Sequence, residues 1–217
     1  MERGRSRKAR SGCLGRIFGF VLFLIVAAVG VIAAVKYMPS RERADLDALY
    51  AAGGSDRVAL YLNYERQEES GVYVDGQTYL PAAWVDANLN ERFYWDANEE
   101  ILVYALPEEI VKSDETTVDE DGKKILYRDG DAVYLSLALI QKYTDVRLQA
   151  YDGEAQKRVF VENNWDPVTV ADAAWSAKIR LRGGLKSPIV TEIKRGGTVT
   201  VLEQYDNWAR VMTPDGH

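Results

Sequence analysis

Residues 72–80, VYVDGQTYL, decide how this chain is read. β-Branched and aromatic residues alternate on either side of Asp75-Gly76. That dipeptide closes a two-residue hairpin, because both central positions of such a turn need positive φ. The spacing predicts strand, turn, strand. Pro81 follows, then Ala82, Ala83, Trp84, Val85 and Ala87, with Asn88 and Asn90 near the end. A proline at the first position and asparagines at the last predict a short helix. Further on, RFYWD (92–96) and ILVY (101–104) flank the turn Asp96-Ala97-Asn98, and VALYLN (58–63) lies upstream. Their alternation predicts more short strands.

The pattern then recurs. Tyr127-Arg128-Asp129-Gly130-Asp131-Ala132-Val133-Tyr134-Leu135 answers 73–80, with an offset of 54 at the Asp-Gly pair and 55 at the Tyr-Leu pair. A helix over 137–143 answers the one over 82–89, and Asp152-Gly153-Glu154 before RVFV (158–161) answers the second hairpin. The expectation is two copies of one hairpin, helix, hairpin unit, at 57–106 and 107–165. Between them, TTVDEDGKK (116–124) reads as a solvated hairpin tip, since its acids lack the alternation and distant glutamate of a calcium loop. Glu99-Glu100 and Glu108-Glu109 read as neighbours on strands. Adjacent strand side chains point to opposite faces and cannot flank one glycosidic bond.

Towards the N-terminus, residues 17–35 (IFGFVLFLIVAAVGVIAAV) are uncharged and almost wholly apolar. As a helix they span about 28 Å, close to the hydrocarbon thickness of a bilayer. Arg3, Arg5, Arg7, Lys8, Arg10 and Arg16 against Glu2 give residues 1–16 a net +5, leaving −11 of the total −6 for the rest. The positive-inside rule puts this basic tail in the cytoplasm and everything after the 17–36 span outside. The competing reading is a cleaved signal ending at the small-x-small site Ala28-Val29-Gly30. The uncleaved anchor is favoured because the apolar run continues past that site, and both readings export the body. Residues 37–56 read as a helical spacer, with Ser40 as N-cap, Gly53-Gly54 as stop, and Leu46, Leu49 and Tyr50 as a stripe packing on its own domain.

Several functions are excluded by composition. The acidic body disfavours nucleic acid as a partner. Cys13 and His217 are the sole residues of their kinds, so histidine triads, Cys/His zinc sites and internal disulfides have no basis here. No catalytic, cofactor or metal residues are assigned. At 47% hydrophobic with six prolines, the chain is too apolar to be disordered.

After Asn163-Asn164-Trp165-Asp166-Pro167, which reads as a linker, short β-rich runs separated by glycine turns cover 175–211. They predict a small barrel over 166–217. The overall expectation is an α+β chain: a transmembrane helix, a two-repeat β-rich domain with one helix per repeat, and a small all-β barrel.

Gly76, Tyr79, Leu80, Pro81, Trp95 and Asp96, with Gly130, Tyr134, Leu135 and Leu137, resemble the stalk domain named after the N-terminal region of copper amine oxidase. The second copy has Ser136 and Tyr151 where the first has Pro81 and Trp95. Residues 182–184, 195–202 and 207–211 resemble a bacterial Src-homology-3-like domain, with Arg180 where that family has asparagine. The resemblance implies that Trp208 faces the barrel interior, that the closing strand is missing, and that Tyr205, Trp175 and Arg182 contact peptidoglycan or another wall polymer. The order of parts resembles the N-terminal region of membrane-anchored family 18 glycoside hydrolases of Gram-positive-type bacteria. It implies a noncatalytic targeting arm at the cell membrane; the alternatives are the leading part of such a hydrolase itself and a structural adhesin or sensor.

Overall fold

A computed structural model describes residues 12–153, 155–165 and 167–217. Most of the basic tail (residues 1–11), the Cys13 side chain, Glu154 of the second-copy turn and Asp166 of the linker lie outside the described residues. The chain mixes helix and sheet, with one apolar N-terminal helix and a mostly β-rich body. It divides into two units: residues up to Arg43 together with Arg180–Ile189, and Ala44–Ile179 together with Val190–His217.

The first unit holds α1 (Gly12–Tyr37). Its stretch Arg16–Tyr37 has mean hydropathy 2.9 and is wholly exposed, long and apolar enough to cross a membrane. In the same unit the Ser40 N–H donates to the Leu185 carbonyl at 2.7 Å. The Arg180 guanidinium donates to the carbonyls of Ser187 (2.5 Å) and Ser40 (3.1 Å). Arg180 thus ties the 180–189 loop to the residues leaving α1.

The expected helix over 41–52 is shorter. It is α2 (Leu46–Tyr50), capped by Asp45, whose carboxylate accepts from the Ala48 N–H at 3.1 Å. Ser40 accepts from the Glu42 N–H at 3.1 Å instead, and Arg43 bridges Ile189 in an extended conformation, so helix cannot begin before Asp45.

The second unit is built on a seven-stranded sheet of order β7-β8-β3-β2-β1-β10-β9. Its strands are β1 (Arg57–Leu62), β2 (Glu65–Val74), β3 (Gln77–Pro81), β7 (Leu126–Asp129), β8 (Ala132–Ser136), β9 (Arg147–Tyr151) and β10 (Arg158–Glu162). All neighbours are antiparallel except β1 and β10, which run parallel with Leu60 opposite Val159. The central strands are covered on both faces. Val58, Leu60, Val159 and Val161 pack under α3 (Ala82–Asn88) and α4 (Leu137–Tyr143), together with Phe93, Leu102 and Tyr104 of a separate sheet, β4 (Phe93–Asp96), β5 (Ile101–Ala105) and β6 (Ile110–Ser113). Ala59, Tyr61 and Phe160 face the other way, against Tyr50, Leu46 and Leu49 of α2, which therefore packs on its own unit as expected. The period-2 alternation of side chains puts an apolar residue on each face at every step of β1.

The element order β2-β3-α3-β4-β5 recurs as β7-β8-α4-β9-β10. Ser136, standing where the first passage has Pro81, caps α4 by accepting from the Leu139 N–H at 3.2 Å. The middle strands pair with each other, Tyr79 with Ser136, Leu80 with Leu135 and Pro81 with Tyr134. Since the β8 trio follows the β3 trio by 55 positions, this pairing is reciprocal about Leu80 and Leu135. The hairpins obey the same offset. Val74 pairs with Gln77 across Asp75-Gly76, while Asp129 pairs with Ala132 across Gly130-Asp131. Both Asp75 (φ 49°) and Gly76 (φ 79°) are left-handed in the first turn, whereas Gly130 (φ 61°) leads the second, so the offset of 54 matches the letters and 55 matches the fold. The second hairpins diverge: β9-β10 joins the large sheet and β4-β5 pairs with β6 apart from it.

Gly71 on β2 meets a tight constraint. A Cβ there would lie 2.6 Å from the Tyr79 carbonyl oxygen and 3.2 Å from Leu80. Gly71→Ala is expected to cost about 1–3 kcal/mol by forcing β2 from β3. Urea unfolding followed by circular dichroism checks this, and an unchanged midpoint would contradict the close approach.

The acidic pairs sit in turns and loops instead of on strands. Arg128 bonds Glu100 at 2.7 Å and Lys112 lies 3.8 Å from Glu99. At the 116–124 tip, the Asp119 carboxylate accepts from the N–H groups of Asp121 and Lys123.

The C-terminal strands form two small sheets: β11 (Thr169–Asp172), β14 (Thr198–Gln204) and β15 (Ala209–Met212) in one, β12 (Ala177–Arg180) and β13 (Ile189–Ile193) in the other. After β15 the chain docks on the large sheet at Arg158, which is fully buried. The guanidinium donates to the carbonyls of Gly216 (2.9 Å), Gln156 (2.9 Å) and Asp215 (2.5 Å). It lies between the rings of Tyr50 and Tyr151, 4.8 and 5.1 Å from their centroids. The Tyr151 hydroxyl donates to the Pro214 carbonyl, and His217 packs on Tyr50 at 5.3 Å. Residues 50 and 217, near the two ends of this unit, thus stand side by side.

Candidate functional site

Tyr205 and Trp208 stand at the turn joining β14 to β15. The Tyr205 N–H donates to the Trp208 carbonyl at 2.8 Å, and the Gln204 amide donates to the Tyr205 carbonyl at 2.9 Å. Both rings reach solvent, Tyr205 at 55% and Trp208 at 39% exposure. The exposure of Trp208 corrects the expectation that it faces a barrel interior. Because β12 and β13 pair with each other in a separate sheet, the strands do not wrap around it. The Tyr205 hydroxyl donates to the Glu203 carboxylate, which raises the phenol's pKa and holds the carboxyl below its ordinary value. Arg210 braces Glu203 (3.0 Å) while bonding Glu65 (3.0 Å) and the Tyr64 carbonyl (3.1 Å), so the turn is tied to β2.

Trp175 is 75% exposed, with the Arg195 guanidinium 5.9 Å from its ring. The Arg195 N–H donates to the Ser176 hydroxyl, and the Ala173 and Gly196 backbones bond around the turn before Thr198. Trp175 therefore lies at the start of β14 and Tyr205 just past its end. Seven extended residues span about 20 Å, so the structure does not bring these two rings into one contact. Arg182 belongs to the first unit, its side chain exposed and its N–H donating to the Ser187 hydroxyl at 2.9 Å.

A fourth aromatic was missed. Trp165, read from sequence as part of a linker, is 53% exposed and carries the Arg147 guanidinium 5.3 Å from its ring. Arg147 is held by Glu162 at 3.0 Å, directly opposite it on the β9-β10 ladder, and Glu162 is 8% exposed. Had the β9-β10 register been drawn, this facing pair of opposite charges was the available signal. Tyr64 also bonds Glu162, and burial, followed by that bond, pushes its phenol up to about 12 from 10.0. Because the folded state keeps this proton longer than the unfolded chain, the stabilisation is complete below pH 10 and is lost as pH rises through about 12. Tyr64→Phe should flatten that alkaline limb in a series of melts from pH 8 to pH 12.

An open groove of about 470 Å³ is lined by Ala51, Ala59, Arg66 and Glu68 among others. Its Arg66 guanidinium is engaged by the carbonyls of Leu49 and Ala51. Compared with family models, with curated proteins and with solved structures, the chain finds no match.

Proposed function

We propose that this chain is a membrane-anchored, noncatalytic extracellular module that contacts the cell wall and serves as the targeting arm of a larger cell-wall or polysaccharide hydrolase. The observation that carries the reading is the pairing of a wholly exposed apolar α1 with a body that leaves Tyr205, Trp208, Trp175 and Trp165 open to solvent. Tryptophan and tyrosine are over-represented among the residues that dominate binding surfaces, which makes these rings the contact candidates. The recurring hairpin-helix order and the reciprocal β3-β8 pairing support a duplicated stalk-type domain. The tethering of Glu99 and Glu100 to Lys112 and Arg128 supports a structural role for those acids.

The test is co-sedimentation of the full chain, in a detergent without a sugar headgroup, with purified Gram-positive sacculi. The wild type should pellet, and Tyr205→Ala and Trp175→Ala should each lower the bound fraction several-fold at an unchanged melt. A wild type that stays in the supernatant would overturn the wall-contact reading.

A further inference from the structure

We propose that Trp165, backed by Arg147, is a stacking subsite for a neutral hexopyranose unit of a polysaccharide; the wall-contact reading enters only as the source of that polymer. The loop that carries the ring is fixed before any ligand arrives. The N–H groups of Asn163 and Asn164 both donate to the Asn63 side-chain oxygen, at 3.1 and 3.3 Å. The Asn63 amide donates back to the Asn163 side chain at 2.7 Å, and the Asn163 amide reaches the Asn88 carbonyl at 3.3 Å. Asn63 itself is held in a left-handed turn (φ 48°) with its N–H on the Val161 carbonyl at 2.8 Å. Two residues before Trp165 are thereby anchored to β1 and β10.

The ring's position follows from its partner. Arg147 covers one side of the indole and is itself locked to the nearly buried Glu162. Ordering of the side chain is therefore largely complete in the free protein, which removes a cost that binding would otherwise carry. A rigid aromatic face suits the C–H face of a pyranose. With Arg147 over one face, the pyranose stacks on the other, and the half-exposed guanidinium serves to hold the ring in place. An anion is not favoured, because Glu162 already neutralises Arg147.

The probe is a soluble β-1,4-linked tetramer of N-acetylglucosamine, titrated calorimetrically into the full chain in the same detergent. The wild type is expected to bind, Trp165→Ala to lose at least about tenfold in affinity, and Trp165→Phe to retain part of it. Since the ring is half exposed, the melt should not move; should Trp165→Ala melt early, the Trp165→Phe and Arg147→Gln titrations carry the test. Equal affinity in wild type and Trp165→Ala would overturn the subsite. A wild type that pellets with sacculi but ignores the tetramer would overturn the ligand class and leave wall contact standing. One that does neither would overturn both.

Discussion

Arg158→Met is expected to destabilise the second unit by about 3–5 kcal/mol, the largest effect predicted for a single substitution. The arginine is fully buried, and its guanidinium satisfies three backbone carbonyls while filling the slot between Tyr50 and Tyr151. Methionine matches the length of the stem but gives up all three bonds, and it leaves the Gly216 carbonyl a buried acceptor without its partner. At about 2–4 °C per kcal/mol for a body of this size, the melt should fall by about 10 °C. Arg158→Lys should recover little, because an ammonium offers no planar fork to reach carbonyls on two segments and stacks poorly between rings. Differential scanning fluorimetry gives the shift, and limited proteolysis should show cleavage near residues 213–217 appearing first. A melt within 2 °C of wild type, roughly the value of a single surface contact, would mean that the C-terminal segment does not depend on Arg158.

The second large effect concerns the β3-β8 seam. Leu80 and Leu135 are each 0% exposed, and they face one another where the reciprocal pairing crosses. Truncating either to alanine should cost about 2–5 kcal/mol through lost burial and the cavity left behind. Because the two side chains share that space, Leu80→Ala/Leu135→Ala should fall short of the sum by about 0.5 kcal/mol or more in a double-mutant cycle. Strict additivity in urea unfolding would place the two leucines in separate environments and contradict the register.

Local chemistry was readable before the fold was. Asp75-Gly76 named its turn, Pro81 opened α3, and the β-branched and aromatic run 159–161 marked β10. Long-range pairing was not. β1 and β10 run parallel with about a hundred residues between them; their continuous apolar runs mark strands buried on both faces, but nothing local names the partner strand. The burial of Arg158 was hidden for the same reason, since the docking of Asp215 and Gly216 from the far end of the chain supplies two of its acceptors. Ser40 was a reasonable helix cap by type, yet Asp45 does that work because the intervening backbone is drawn out to pair at Arg43. The candidate surface was half legible. Tyr205 and Trp175 were correctly exposed, but the length of β14 separates them. Trp208 was placed wrongly because the separation of the small sheets has no sequence period, and the asparagine pinning of the exposed 163–165 linker has none either.

In intact spheroplasts, protease added outside should digest the Ala44–His217 region, and alkaline carbonate should leave the remaining N-terminal fragment in the membrane pellet. Full protection from external protease, or release of an N-terminally shortened soluble protein before any protease is added, would contradict a membrane-anchored body facing the wall.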